Sequence, residues 1–331
     1  MIDAGSADAE VHGLAGHGLL PRAETPFPVQ VPHRVTPAPK PLHDWPGVQV
    51  DDAWPAAVRR RVERLANDAG GVVVPSPGLE DDGAVAAVQA AWDLLPGRLG
   101  ALPHLGLEVD VAGAQVLRRT GPGRDAPASD LLVGRSGLDL LVTGWLLACS
   151  DDLVVLHRTG AGELSAELLA VAFPSGWPPR QLAGASLRAL HAPVADGERL
   201  QRAAPALSEA LLTKGPLRQY VWGFDPTGRL DRDPSAPDAE PWTTPEPGRW
   251  WLRVERQTSV PLPELDRALF LIRPYLRPLT AFAPDQRRTL ADAVETMSPQ
   301  TLAYKGIDEV AVDLVAWLRA EPGQFSVGSA G

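Results

Sequence analysis

The chain has a single cysteine, Cys149, among 331 residues. A disulfide framework, a structural zinc site and a protein-held iron–sulfur cluster each need several thiolates, so this chain alone cannot build any of them. Basic runs are equally scarce. The formal net charge is −10, and the longest basic run is Arg59-Arg60-Arg61. Those three fall on an amphipathic helical pattern, where a solvated face is expected. Nucleic acid demands a concentrated positive surface, so neither it nor an anionic membrane is an expected partner. Long apolar runs are missing as well. The longest, Leu138 to Cys149, contains Asp139 and falls short of the roughly 20 residues that span a bilayer. The opening MIDAGSADAE is acidic and polar, the opposite of a secretory signal. The cytoplasm is the expected location.

Familiar catalytic signatures are also missing. There is no HExxH, no GxSxG elbow, no Walker A sequence and no CxxCH. Any heme would therefore be held without thioether bonds. Gly160-Ala-Gly162 begins like a dinucleotide fingerprint, but Ser165 stands where the third glycine belongs, which leaves an ordinary strand turn. His12 and His17 are not spaced as a metal pair.

Proline is in excess: 34 residues, about twice the usual share. Pro26, Pro28, Pro32, Pro37, Pro39, Pro41 and Pro46 crowd the first fifty residues and favour an extended path. Residues 1–50 are expected to be a leader or strap, 51–320 a single domain, and 321–331 a tail. Helical periodicity is clearest over 54–67, 83–95, 284–297 and 307–319, with Asp51 and Asp52 as capping candidates for the first. The segments WWLRVERQTSVPL and ALFLIRPYL read as a hairpin turning around Glu264–Arg267, and 152–157 as another strand. A Pro- and Asp-rich stretch between Arg229 and Arg249 is expected to be a surface loop. Helices and strands do not alternate regularly, which predicts an α+β fold on an antiparallel sheet.

The informative stretch runs from Asp151 to Tyr275. It holds Asp151-Asp152, FPSGW at Phe173–Trp177, LHAPV at Leu190–Val194, Arg218 and Trp222, RVERQTSVPLP at Arg253–Pro263 and FLIRPY at Phe270–Tyr275. In this order the elements resemble the alpha-subunit-like family of heme-dependent oxidative N-demethylases. Looser similarity reaches back to Asp52–Trp54 and forward to Tyr304-Lys305-Gly306, so roughly three quarters of the chain is covered. The resemblance implies a PAS-like antiparallel sheet with flanking helices, adapted to hold heme b. It also implies oxidative removal of a methyl group from a small secondary amine, using dioxygen. Electrons would come from NADPH through separate flavin and iron–sulfur partners. The sequence departs from the family pattern at Leu182, where a lysine is usual, and at RQYVW (Arg218–Trp222), which lacks the expected asparagine. These departures bear on the substrate, and a biosynthetic oxygenase acting on something else is an alternative. So are peroxide as oxidant, a non-catalytic heme or gas sensor, and a cofactor-free scaffold.

Within that frame His191 is the candidate ligand to heme iron, because it is the histidine inside a matched motif. It would sit at a helix end that Pro193 stops. A hydrogen-bonded core histidine is the alternative, with His157 in reserve as ligand. Heme propionates favour the planar arginine fork, which makes Arg253, Arg256 and Arg273 candidates for cofactor binding, with Trp177 beside them; an ion-paired network that only braces the sheet is the alternative. Glu255 and Gln257 share a strand face with Arg253 and are the candidate catalytic pair, Glu255 steadying a protonated amine.

Overall fold

The computed structural model describes residues 26–34, 39–43, 47–48, 54–79, 81–95, 101–102, 107–119, 126–160, 162–195, 197–239 and 244–320. His12, His17, Asp51, Asp52, the tail 321–331 and part of the 229–249 stretch lie outside them.

In chain order the elements are β1 (Lys40–Pro41), α1 (Trp54–Val72), β2 (Val73–Pro75), α2 (Asp81–Trp92), β3 (Ala101–Leu102), β4 (Leu107–Asp110) and β5 (Gln115–Arg119). Next come α3 (Ala126–Asp130), α4 (Gly137–Ala148), β6 (Asp152–Arg158), β7 (Leu164–Ala170), α5 (Leu187–Leu190), α6 (Glu198–Thr213) and β8 (Leu217–Asp225). The chain ends with β9 (Trp251–Leu262), β10 (Arg267–Pro278), α7 (Pro284–Glu295), α8 (Pro299–Tyr304) and α9 (Ala311–Arg319). Seven strands form one sheet in the order β1-β8-β9-β10-β6-β7-β2, and β3-β4-β5 form a small second sheet. Every pairing is antiparallel, so the fold is α+β.

The predicted hairpin is the spine of the sheet. β9 and β10 pair along their whole length, from Arg267 opposite Leu262 to Pro278 opposite Trp251. Asp266, at φ 52°, closes the turn in the left-handed region, which a short polar side chain tolerates better than most. The four predicted helices form close to their expected bounds. Strand alternation then assigns each residue to one of two faces.

On one face lie Leu153, Val155, Leu269 and Leu271, covered by α1, α2 and α4. The same face continues over Phe224, Leu252 and Val254 to a second apolar cluster under α7 and α9. Phe27 and Val29, from the proline-rich segment, pack against that second cluster. The opposite face carries Val154, Leu156, Ala268 and Ile272 under α5 and α6. These are called the α4 face and the α6 face below. Apolar burial supplies most of the favourable free energy. Trp92 and Trp145 are fully buried, and each indole N–H finds a carbonyl, Leu141 O at 3.1 Å and Asp151 O at 3.2 Å. Gly144 lets α2 and α4 approach, since a Cβ there would lie 2.8 Å from the Trp92 ring.

One expectation is corrected. Arg59 and Arg60 are solvated, but Arg61 is completely buried. Its guanidinium donates to the carbonyls of Leu146 (2.8 Å), Cys149 and Ser150 (3.0 Å) and pairs with Asp152 at 2.7 Å. It also lies over the Phe173 ring, 5.0 Å from the centroid. Burial of a charge is tolerated here because a carboxylate and three carbonyls answer it. Asp152 in turn accepts from the backbone N–H of Ala172 (3.2 Å) and Phe173 (3.0 Å). Arg61→Leu strands that carboxylate and is expected to cost about 3–5 kcal/mol in denaturant unfolding. Arg60→Leu, one residue away and exposed, is expected to stay within about 0.5 kcal/mol.

Candidate functional site

The alternation of β9 decides where the predicted residues go. Arg253, Glu255 and Gln257 point to the α6 face, whereas Arg256 points to the α4 face with its cross-strand partner Arg273. The three arginines therefore do not form one row. The sheet separates Arg256 and Arg273 from the other three.

On the α6 face, Arg253 is only 4% exposed and reaches out of the sheet to two loops. It donates to Phe173 O at 2.7 Å and to Leu230 O at 2.8 Å. That clasps the FPSGW segment to the Pro/Asp-rich stretch. The clasp is reinforced by Gly176 N–H to Arg232 O and Arg232 N–H to Pro174 O, both 3.1 Å. Arg64 of α1 pairs with Asp231 at 2.7 Å and Asp233 at 3.2 Å. Residues 229–239 are thus held by ion pairs and backbone bonds. Gly176, Arg229, Asp231, Asp233 and Asp238 line a shallow cavity of about 230 Å³ there. None of the predicted site residues belongs to its walls.

Glu255 lies beside Arg253, with Oε1 3.5 Å from the guanidinium Nε. Its other oxygen accepts from Gln257 Nε2 at 3.3 Å, and Gln257 Oε1 accepts from Gln219 Nε2 at 2.7 Å. Gln219 is the residue of β8 directly opposite Gln257. The two amides form a chain with one direction, each N–H pointing toward the carboxylate. Both neighbours of Glu255 are donors, and they meet its two carboxylate oxygens separately. Glu255 is 8% exposed, while its β8 neighbour Val221 is 42% exposed and Tyr304 49%. Burial, with the Glu255 charge nearby, raises the Tyr304 hydroxyl above its ordinary pKa.

His191 caps α5. Ser186 starts this single turn by accepting from Ala189 N–H at 3.2 Å. At the other end His191 Nδ1 donates to Leu187 O at 2.7 Å. That bond fixes the ring and tautomer, and Nε2 has no hydrogen-bond partner among the described residues. Burial holds the imidazole below its ordinary pKa, against the Leu187 bond. Leu187, Leu190, Trp177 and Leu182 all join the apolar cluster of the α6 face. His157 sits elsewhere, on β6 opposite Arg267, with Nδ1 3.5 Å from Glu167. Glu167 already holds Arg267 through two bonds of 2.6 and 2.8 Å.

Residues 40–315 match the family described as haem-dependent oxidative N-demethylase, alpha subunit-like. The chain belongs to that family. No curated protein matches it closely enough to name a substrate. The family's description names heme, and the side chains present fit that group. A ligating histidine characteristically gives its second ring nitrogen to a carbonyl or carboxylate, as His191 gives Nδ1 to Leu187. Held through His191, heme would sit on the α6 face, with Arg253 on the same face and Arg256 and Arg273 on the other side of the sheet. Among the described residues no cluster of three or more His, Cys, Asp or Glu side chains could hold a metal ion.

Two contributors, Gln219 and Tyr304, are not evident from the sequence. Gln219 lies inside RQYVW, the element that departs from the family pattern, and only the β8–β9 register shows its role. Tyr304 comes from the YKG element, whose Lys305 turns instead to Trp222 of the α4 face. Lys305 donates to Trp222 O and lies over that indole, 4.8 Å from the ring centroid, while His33 packs on the same ring at 5.1 Å. Burial draws the Lys305 ammonium down to about 8.

Arg253→Met removes the clasp between the two loops. A loss of about 3 kcal/mol in unfolding free energy is expected, with protease cleavage appearing between residues 229 and 239 before global unfolding.

Proposed function

We propose that this chain binds heme b through His191 Nε2 and oxidises a small amine held at Glu255, removing a methyl group. The observation that carries the reading is the pairing of family membership with a histidine whose Nδ1 is pinned and whose Nε2 is left over. An antiparallel sheet with helices on both faces supports a PAS-like arrangement for the domain. When bound, heme supplies the redox iron at which dioxygen or peroxide is used.

The remaining chemistry belongs to the protein. His191 offers a neutral imidazole at pH 7, because burial disfavours its protonated form. Glu255 supplies an anion at the edge of an apolar face, which attracts a protonated secondary amine. The Gln219–Gln257 chain keeps that carboxylate oriented, and Val221 and Tyr304 border the route by which a small substrate reaches it. Trp177 and Leu182 contribute apolar wall. Leu182 replaces a cation of the family pattern, which suits a cationic or neutral substrate better than an anionic one. Electrons are supplied by a separate reductase with flavin and iron–sulfur centres, since a lone buried Cys149 cannot hold a cluster. No helix among the described residues is long and apolar enough to cross a membrane. The cytoplasm, where a thiol stays reduced, is the location we assign.

The test is a visible spectrum of the purified chain, ferric and dithionite-reduced, beside His191→Ala. A Soret band that is lost or shifted in the variant is the expected result. An unchanged band moves the ligand elsewhere, with His157 next to try, and a protein that refuses added heme ends the reading. The His191-dependent band is expected to persist as pH falls through 6.5. The folded pKa lies below the unfolded value near 6.5, so the favourable contribution of neutral His191 is complete above pH 6.5 and disappears only as pH falls through the lowered value. Glu255→Gln is expected to weaken binding of dimethylammonium about tenfold or more, measured by calorimetry; unaltered binding removes Glu255 from the site.

A further inference from the structure

The carboxylate of Glu255 has a rim, and the end of α8 supplies it. On the α6 face β8 presents Gln219, Val221 and Gly223, directly opposite Gln257, Glu255 and Arg253. Among the described residues β1 pairs with β8 only at Leu217 and Arg218. The Val221–Glu255 rung therefore lies beside the margin of the sheet. A Cβ added at Gly223 would meet no described atom within 4 Å. Open space thus borders Glu255, edged by one apolar side chain and bare backbone.

α8 brings Tyr304 to that margin. Ser298 caps its start, accepting from Thr301 N–H at 3.1 Å. Its end is a Schellman turn. Gly306, at φ 66°, donates to Ala303 O at 2.9 Å, and Ile307 donates to Leu302 O at 3.1 Å. Ile307 and Leu302 also share one apolar cluster. Lys305 ties the turn to the carbonyl of Trp222, the residue after Val221. Backbone bonds, not the phenol, hold Tyr304 in place. Its hydroxyl makes no hydrogen bond among the described residues, although burial and the Glu255 charge both act on it. A sheltered hydroxyl beside a carboxylate, neither bonded to the other, is a pair of oxygens that one bridging donor group can join.

We propose that Tyr304 is a specificity-determining residue, its phenol oxygen taking one N–H of a secondary ammonium while Glu255 takes the other. This rests on the reading that Glu255 holds the amine. A secondary ammonium carries two N–H donors and a tertiary one carries a single donor. The carboxylate claims the first in both cases, because it bears the opposite charge. Only the secondary ammonium has a second donor for the phenol. The site therefore counts N–H groups, and it penalises the analogue that leaves a sheltered oxygen unpaired. Val221 gives the methyl groups an apolar neighbour.

Calorimetry on the full chain with dimethylammonium and trimethylammonium tests it. The wild-type chain is expected to prefer dimethylammonium about tenfold. Tyr304→Phe is expected to weaken dimethylammonium about tenfold and to leave trimethylammonium within about twofold, so that the preference disappears. The variant is expected to keep the wild-type unfolding midpoint, since the hydroxyl braces nothing. Glu255→Gln is expected to weaken both amines. A preference that survives in Tyr304→Phe is steric, and it overturns the role of Tyr304 while the Glu255 reading stands. Equal weakening of both amines by Tyr304→Phe overturns it as well. A wild-type chain that takes neither amine, or Glu255→Gln that takes both unchanged, removes the Glu255 reading and this proposal with it.

Discussion

A guanidinium with no access to water must find its counter-charge and its acceptors inside the protein, and Arg61 finds them at one joint. Its acceptors are the last turn of α4, the residues leading into β6, and Asp152 itself. Asp152 in turn holds the backbone where β7 gives way to FPSGW. One buried charge pair thus ties a helix, two strands and a loop. Both faces of the sheet take their anchorage from this joint. Phe173 is positioned so that its carbonyl can receive Arg253, and Asp151 is aimed at the other face toward Arg256. Two adjacent aspartates, pointing in different directions from one strand start, anchor the two faces separately. A pair of this kind contributes less to net stability than to specificity, because apolar residues of equal volume often pack as well.

Much of the fold was legible. The β9–β10 hairpin announced itself through alternation and a turn, and the helices α1, α2, α7 and α9 through their periodicity, because in those segments local pattern and burial agree. Elsewhere they part. α4 is apolar nearly all round, so it reads as a buried run without a period. α6 carries Pro205 inside it, a residue that argues against a helix interior. β8 reads RQYVWGF without clean alternation, and only its ends, at Leu217 and at Phe224-Asp225, are buried. Three consecutive arginines say nothing of which one turns inward. Arg61 does so because α1 packs against α4, a tertiary fact.

The candidate site was legible residue by residue but not as an arrangement. The alternation of β9 already separated Arg256 from Arg253, Glu255 and Gln257. Placing Arg273 with Arg256 needed the hairpin register, and finding Gln219 needed a third strand. Family resemblance points to residues; pairing says which of them can meet. Leu182, one departure from the family pattern, lies in the apolar wall of this face, and Gln219, inside the departing RQYVW element, lies in the amide chain that ends at Glu255.

β9 itself carries a further consequence. Its odd-numbered residues from 253 to 257 serve one compartment, and its even-numbered residues serve the other. The strand is therefore a two-channel ribbon, read on both sides by unrelated surroundings. Point substitutions can retune either channel without disturbing its twin, so the two faces are free to drift apart in descent. Insertion or loss of a single residue does the reverse, because it turns every side chain over and presents an arginine where the carboxylate stood. Length is the property this strand cannot vary.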